Sequence, residues 1–66
     1  MTLATNETKL KIARKRIPGL TQEQVAEKAK IRTRSYQYYE AGTRIPNAIT
    51  AKRIAEAVNS KVEDLF

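Results

Sequence analysis

From Leu20 to Gly42 the chain reads L-T-Q-E-Q-V-A-E-K-A-K-I-R-T-R-S-Y-Q-Y-Y-E-A-G, two short amphipathic segments with one break between them. Thr21 is a good N-cap, and Gln24 three residues later completes a T-x-x-Q capping box, which predicts a helix opening at Gln22. Val25, Ala26 and Ala29 give that helix a narrow apolar face of small residues, over which a second helix can cross closely. After Lys30 the pattern restarts. Ile31, Ser35, Tyr36 and Tyr39 fall towards one side of a second helix, and Thr33, Arg34, Gln37 and Tyr38 point elsewhere. An outward face of Thr, Arg, Gln and Tyr carries the donors and acceptors that suit base edges or phosphates. Gly42 stands where a left-handed residue closes a helix.

The stretch resembles the helix-turn-helix of the lambda-repressor-like (Cro and xenobiotic-response-element) family, through Gly19, Leu20, Thr21, Gln22, Glu23, Val25, Ala26, Ile31, Glu40 and Gly42. R-I-P-N from Arg44 is similar to the loop before that family's fourth helix, and A-V-N-S-K-V-E-D-L-F at the end is similar to its closing segment. The resemblance extends from about Leu10 onward. Two departures from it stand out. Lys30 occupies the turn position where the family usually has Gly, at a cost on the order of 1–2 kcal/mol for a left-handed non-Gly residue. Tyr36 and Tyr39 replace aliphatic core residues and are expected to pack with their hydroxyls at the rim.

Working outward, the residues from Met1 to Thr5 read as a flexible tail, with Leu3 able to tuck onto the core. Asn6 is the expected cap of a first helix, with Glu7 in its first turn. Leu10, Ala13 and Ile17 mark the buried face of that helix, while Lys9, Lys11, Lys15 and Arg16 read as a solvated face. Ile17-Pro18-Gly19 ends it. Beyond a loop from Thr43 to Pro46, Asn47 caps a fourth helix whose inner face is Ala51, Ile54, Ala55 and Val58. Asn59 suits a left-handed exit. Ser60 and Glu63 form an S-x-x-E box for a last short helix, Val62 to Phe66; the family register would put its cap one residue later, at Lys61, but local chemistry favours Ser60.

The 66 residues make one domain, residues 1–66, and the expected fold is an all-α, compact five-helix bundle. A chain this short buries only about 60% of its unfolded surface, so its core must be economical. No Cys and no His are present, which removes disulfides, thiolate or imidazole catalysis and the usual zinc ligands. Without a base, a nucleophile or a Gly-rich phosphate loop no catalytic constellation assembles, so no enzymatic activity, metal or cofactor is expected. No apolar run nears the roughly 18 residues of a membrane span, and the expected location is cytoplasmic. Thirteen Lys and Arg against seven Asp and Glu give a formal charge of +6, a bias towards a polyanionic partner. Only Glu40 interrupts the basic stretch from Lys28 to Arg44.

The resemblance implies roles residue by residue. Gln22 would touch the DNA backbone and brace the recognition helix, around residues 33–40. Thr33, Arg34 and Gln37 would read bases, Arg34 suiting guanine O6 and N7 and Gln37 suiting adenine. Tyr38 would meet phosphate or a thymine methyl, Arg32 at the turn would contact bases or backbone, and Thr43 and Arg44 would hold the backbone. Arg14 would pair with Glu40. The function expected is a sequence-specific double-stranded DNA-binding regulator of transcription, most simply a repressor. It would bind a pseudo-palindromic operator as a homodimer through Ile49, Val62 and Phe66, unless those three merely complete the core. A different class also fits: an antitoxin-like or adaptor module whose main partner is a protein, with DNA binding secondary or absent.

Overall fold

The structure, a computed structural model, describes residues 8–66. Four α-helices follow in order: α1 (Lys9–Lys15), α2 (Gln22–Ala29), α3 (Thr33–Ala41) and α4 (Ala48–Ala57), and a 3₁₀ turn (Val62–Asp64) closes the chain. The expected fifth helix is therefore this single tight turn, not a helix reaching Phe66. Among the described residues there is no strand, and no helix is long and apolar enough to cross a membrane.

The cap of α1 is Thr8, whose hydroxyl accepts from the Lys11 amide at 3.1 Å. The expected cap, Asn6, lies outside the described residues, as do Met1 to Thr5, Leu3 and Glu7. Thr8 gains the position through a second bond: its hydroxyl donates to the Glu40 carbonyl at 2.6 Å, tying the start of α1 to the end of α3. Both halves of the Thr21–Gln24 capping box form on α2, at 2.9 and 3.1 Å. Asn47 caps α4 by accepting from the Thr50 amide at 2.8 Å.

Three helices end in the same way. A left-handed residue follows each, Lys30 (φ 60°) and Gly42 (φ 81°) directly after α2 and α3 and Asn59 (φ 57°) one residue beyond the Val58 that ends α4. The next amide then reaches back five residues, from Ile31 to Ala26 at 3.0 Å, from Thr43 to Tyr38 at 3.1 Å and from Ser60 to Ala55 at 2.8 Å. This closure satisfies carbonyls that a helix end would otherwise orphan. It also explains why Ser60 is not the cap of the last turn. Its amide is committed to the exit of α4 and its hydroxyl lies 3.3 Å from the Val58 carbonyl, so Lys61 takes the cap position without a side-chain bond.

Val25, Ala26 and Ala29 form the inner face of α2, which packs against both α3 and α4. Leu10 and Ala13 of α1, Tyr36 of α3, Ala51, Ile54, Ala55 and Val58 from α4 onward, and Leu65 complete the core. Ile17, Leu20, Ile31, Tyr39 and Val62 pack against it, half-buried. Tyr36 corrects the expectation for its hydroxyl. The residue is 0% exposed, and its oxygen is buried without a hydrogen bond, not at the rim.

Candidate nucleic-acid interface

α3 divides lengthwise into two faces. At 3.6 residues per turn, Thr33, Gln37, Ala41, Arg34 and Tyr38 occupy an arc of roughly 140°; Tyr36 lies well outside it, and Glu40 lies about 20° beyond its Thr33 edge, turned towards the core. Arg34 and Gln37 are exposed, Thr33 and Tyr38 half-buried, and Tyr36 and Glu40 buried. Arg32 precedes the helix as an exposed N-cap residue with no side-chain cap. Neither Arg32 nor Arg34 makes an ion pair among the described residues.

Just past α3, Arg44 lies over the Tyr38 ring at 4.6 Å from its centroid. The Thr43 hydroxyl donates to the Tyr38 carbonyl at 3.1 Å. The ring therefore steers an exposed guanidinium beside the outer face of α3, since a cation is drawn to the negative face of an aromatic ring.

Behind that face the structure brings Arg14, Gln22, Gln37 and Glu40 into one chain of hydrogen bonds. Arg14 grips the Glu40 carboxylate with two bonds, Nε to Oε2 at 2.7 Å and Nη2 to Oε1 at 3.1 Å, and its Nη1 donates to the Leu20 carbonyl at 3.0 Å. Gln22 Nε2 donates to Glu40 Oε1 at 2.9 Å, and Gln37 Nε2 donates to Gln22 Oε1 at 3.2 Å. Glu40 is 3% exposed and the Arg14 side chain 15%. Burial alone would raise the Glu40 pKa, but the donors turned towards it from Arg14, Tyr36 and Gln22, with the Arg14 charge, bring it below the ordinary carboxylate value. Tyr36 experiences the reverse. Burial and then the neighbouring carboxylate push its phenol well above the usual range, and the hydroxyl points at Glu40 without reaching hydrogen-bond geometry.

Two residues outside the sequence expectations join this region. Thr8 ties α1 to the Glu40 carbonyl. Lys11, expected on the solvated face, is half-buried and lines an open depression of about 440 Å³ with Gln22, Glu40 and Ala41. The available signal was spacing: Lys11 lies three residues before Arg14 and so shares its side of α1. The residues considered for an interface between copies separate. Val62 packs against the core, whereas Ile49 is 66% and Phe66 40% exposed. Ile45, not among them, is the most exposed large apolar side chain at 82%.

A helix-turn-helix family model matches residues 10–65. An uncharacterized HTH-type transcriptional regulator of Archaeoglobus fulgidus is 38% identical over 48 residues, which cover 73% of this chain and 69% of that protein. No solved structure matches at a significant level. The chain belongs to the Cro-type helix-turn-helix family.

Proposed function

We propose that this chain, a DNA-binding transcriptional regulator, lays α3 in the major groove of a pseudo-palindromic operator as a homodimer and represses transcription there, in the cytoplasm. α2 would cross the sugar-phosphate backbone, with Gln22 near a phosphate. Arg34 and Gln37 would meet base edges, helped by Thr33 and Tyr38, while Arg32, Thr43 and Arg44 hold phosphates. Lys11, beside Gln22 in the same depression, adds a further phosphate contact. One observation carries most of the weight. The exposed arc of α3 offers a guanidinium without an ion pair among the described residues and the unengaged edge of the Gln37 amide, while the inward side is locked into the core by Tyr36 and Glu40.

Two copies would place their half-sites about one helical turn, roughly 10 bp, or a multiple of it apart. The exposed Ile49 and Phe66 favour a partner surface on this domain, and a second copy is the occupant this reading selects. Selection of bound sequences from a random DNA pool, followed by mobility shift on the selected site and a scrambled one, tests the proposal. Enrichment of a two-fold symmetric sequence supports it. Weak binding that ignores sequence and vanishes with salt would favour the adaptor reading instead.

A further inference from the structure

We propose that the buried Glu40 is a specificity-determining positioning residue: acting through Gln22, it sets the polarity of the Gln37 amide and makes Gln37 a reader of adenine over guanine. The inference rests on α3 being the helix that meets the bases.

The chain of reasoning starts from the carboxylate. An ionised carboxylate only accepts hydrogen bonds. Glu40 Oε2 is taken by Arg14 Nε, and Oε1 by Arg14 Nη2 and Gln22 Nε2. Were the Gln22 amide turned over, its carbonyl oxygen would stand 2.9 Å from Glu40 Oε1, acceptor against acceptor. Gln22 must therefore present its NH₂ inward and its oxygen outward. That outward oxygen can only accept, and it takes an N–H from Gln37 at 3.2 Å. Gln37 is constrained in the same manner, because turning its amide would set its own oxygen against that of Gln22.

With one N–H engaged, Gln37 keeps a second N–H and its carbonyl oxygen, on the exposed side of α3. A donor beside an acceptor matches adenine, whose major-groove edge offers N7 and the N6 amino group. Guanine presents two acceptors there, N7 and O6, so one end of the Gln37 amide would be repelled. Reading guanine would require Gln37 to turn and abandon Gln22. The base choice of an exposed side chain is thus set by a carboxylate two links away that never touches DNA.

The test uses wild type, Gln37→Ala, Gln22→Leu and Glu40→Gln, each first checked for folding by thermal melting. Affinity is then measured on the selected site and on its single-base variants. Wild type should prefer adenine over guanine at one base pair by about tenfold, and Gln37→Ala should erase that choice. Gln22→Leu should lower the ratio to within about threefold at that same pair and leave other pairs unchanged, whatever uniform loss it suffers from its own phosphate contact. Glu40→Gln should keep the adenine preference, because its amide oxygen at the Oε1 position still accepts from both Arg14 Nη2 and Gln22 Nε2, whereas the opposite orientation would set its NH₂ against Arg14 Nη2. If Glu40→Gln does not fold, Gln22→Leu decides alone. An adenine-to-guanine ratio unchanged in Gln22→Leu, or selectivity intact in Gln37→Ala, overturns the relay while the DNA-binding reading stands. A wild type with no base preference at any position overturns both.

Discussion

The two faces of α3 use the same chemical groups to opposite ends. Inside, the Arg14 guanidinium meets the Glu40 carboxylate in two short bonds, and Gln22 donates a third. Outside, the Arg34 guanidinium is exposed and, among the described residues, makes no ion pair, and Arg44 lies over the Tyr38 ring. A buried pair carries a large desolvation cost that its bonds must offset, so losing one member strands the other. An exposed cation has no such cost and stays available to a polyanion. One helix thereby separates holding the fold from meeting a ligand, and substitutions on its two faces should fail in different assays.

The largest effect is expected inside. Glu40→Ala leaves Arg14 without its partner and should cost about 3–5 kcal/mol, enough to unfold so small a domain or nearly so. Thermal or urea denaturation measures it, and an unchanged midpoint would mean the inner face is not what holds α1 to α3. The same carboxylate imposes a pH dependence. Because its folded pKa lies below the unfolded value of about 4.5, its contribution is fully present above that value and is lost as pH falls through the lowered one. Stability should therefore fall more steeply on acidification in wild type than in a folded Glu40→Gln variant.

Outside, the expected losses are in binding, not stability. Arg34→Ala should cost about 1–3 kcal/mol on the preferred site and relax the choice at one base pair. Arg44→Ala should weaken all sequences alike and reduce the salt dependence by about one phosphate contact. Both should melt like wild type. Equal loss on every sequence for Arg34→Ala would make Arg34 a phosphate clamp and move base reading to Thr33, Gln37 and Tyr38.

Smaller changes sharpen the contrast. Lys30→Gly removes the left-handed penalty at the turn that sets α2 against α3 and should raise stability by up to about 1 kcal/mol. No gain in the melting midpoint would show that the unfolded-chain entropy of glycine cancels it. Tyr36→Phe deletes a buried hydroxyl with no hydrogen bond, so stability at neutral pH should change by less than about 1 kcal/mol, in either direction. Wild type should also lose stability above about pH 10, where the phenol ionises in the unfolded chain but is held neutral when folded. The variant should lack that alkaline decline, and a decline of equal size would exonerate Tyr36.

What the amino-acid sequence determined is what a few neighbouring residues decide among themselves. The Thr21–Gln24 box, the Asn47 cap, the left-handed positions at Gly42 and Asn59, and the inner faces of α2 and α4 follow from contacts within a turn or two, whereas the left-handed Lys30 was expected from the family resemblance. Pairing Arg14 with Glu40 required the family resemblance, since 26 residues separate them and nothing local links them. Tertiary structure alone decided the rest. Thr8 caps α1 because Glu40, 32 residues away, offers a carbonyl, and Ser60 loses its box to the exit of α4. Packing sank the Tyr36 hydroxyl, which as a side chain on a helix could equally have reached the surface. It also aligned Gln22, Gln37 and Glu40 from two helices, with a polarity no spacing reveals. A hydrogen bond needs its partner within about 3 Å in a set direction, and only the folded chain brings distant residues that close.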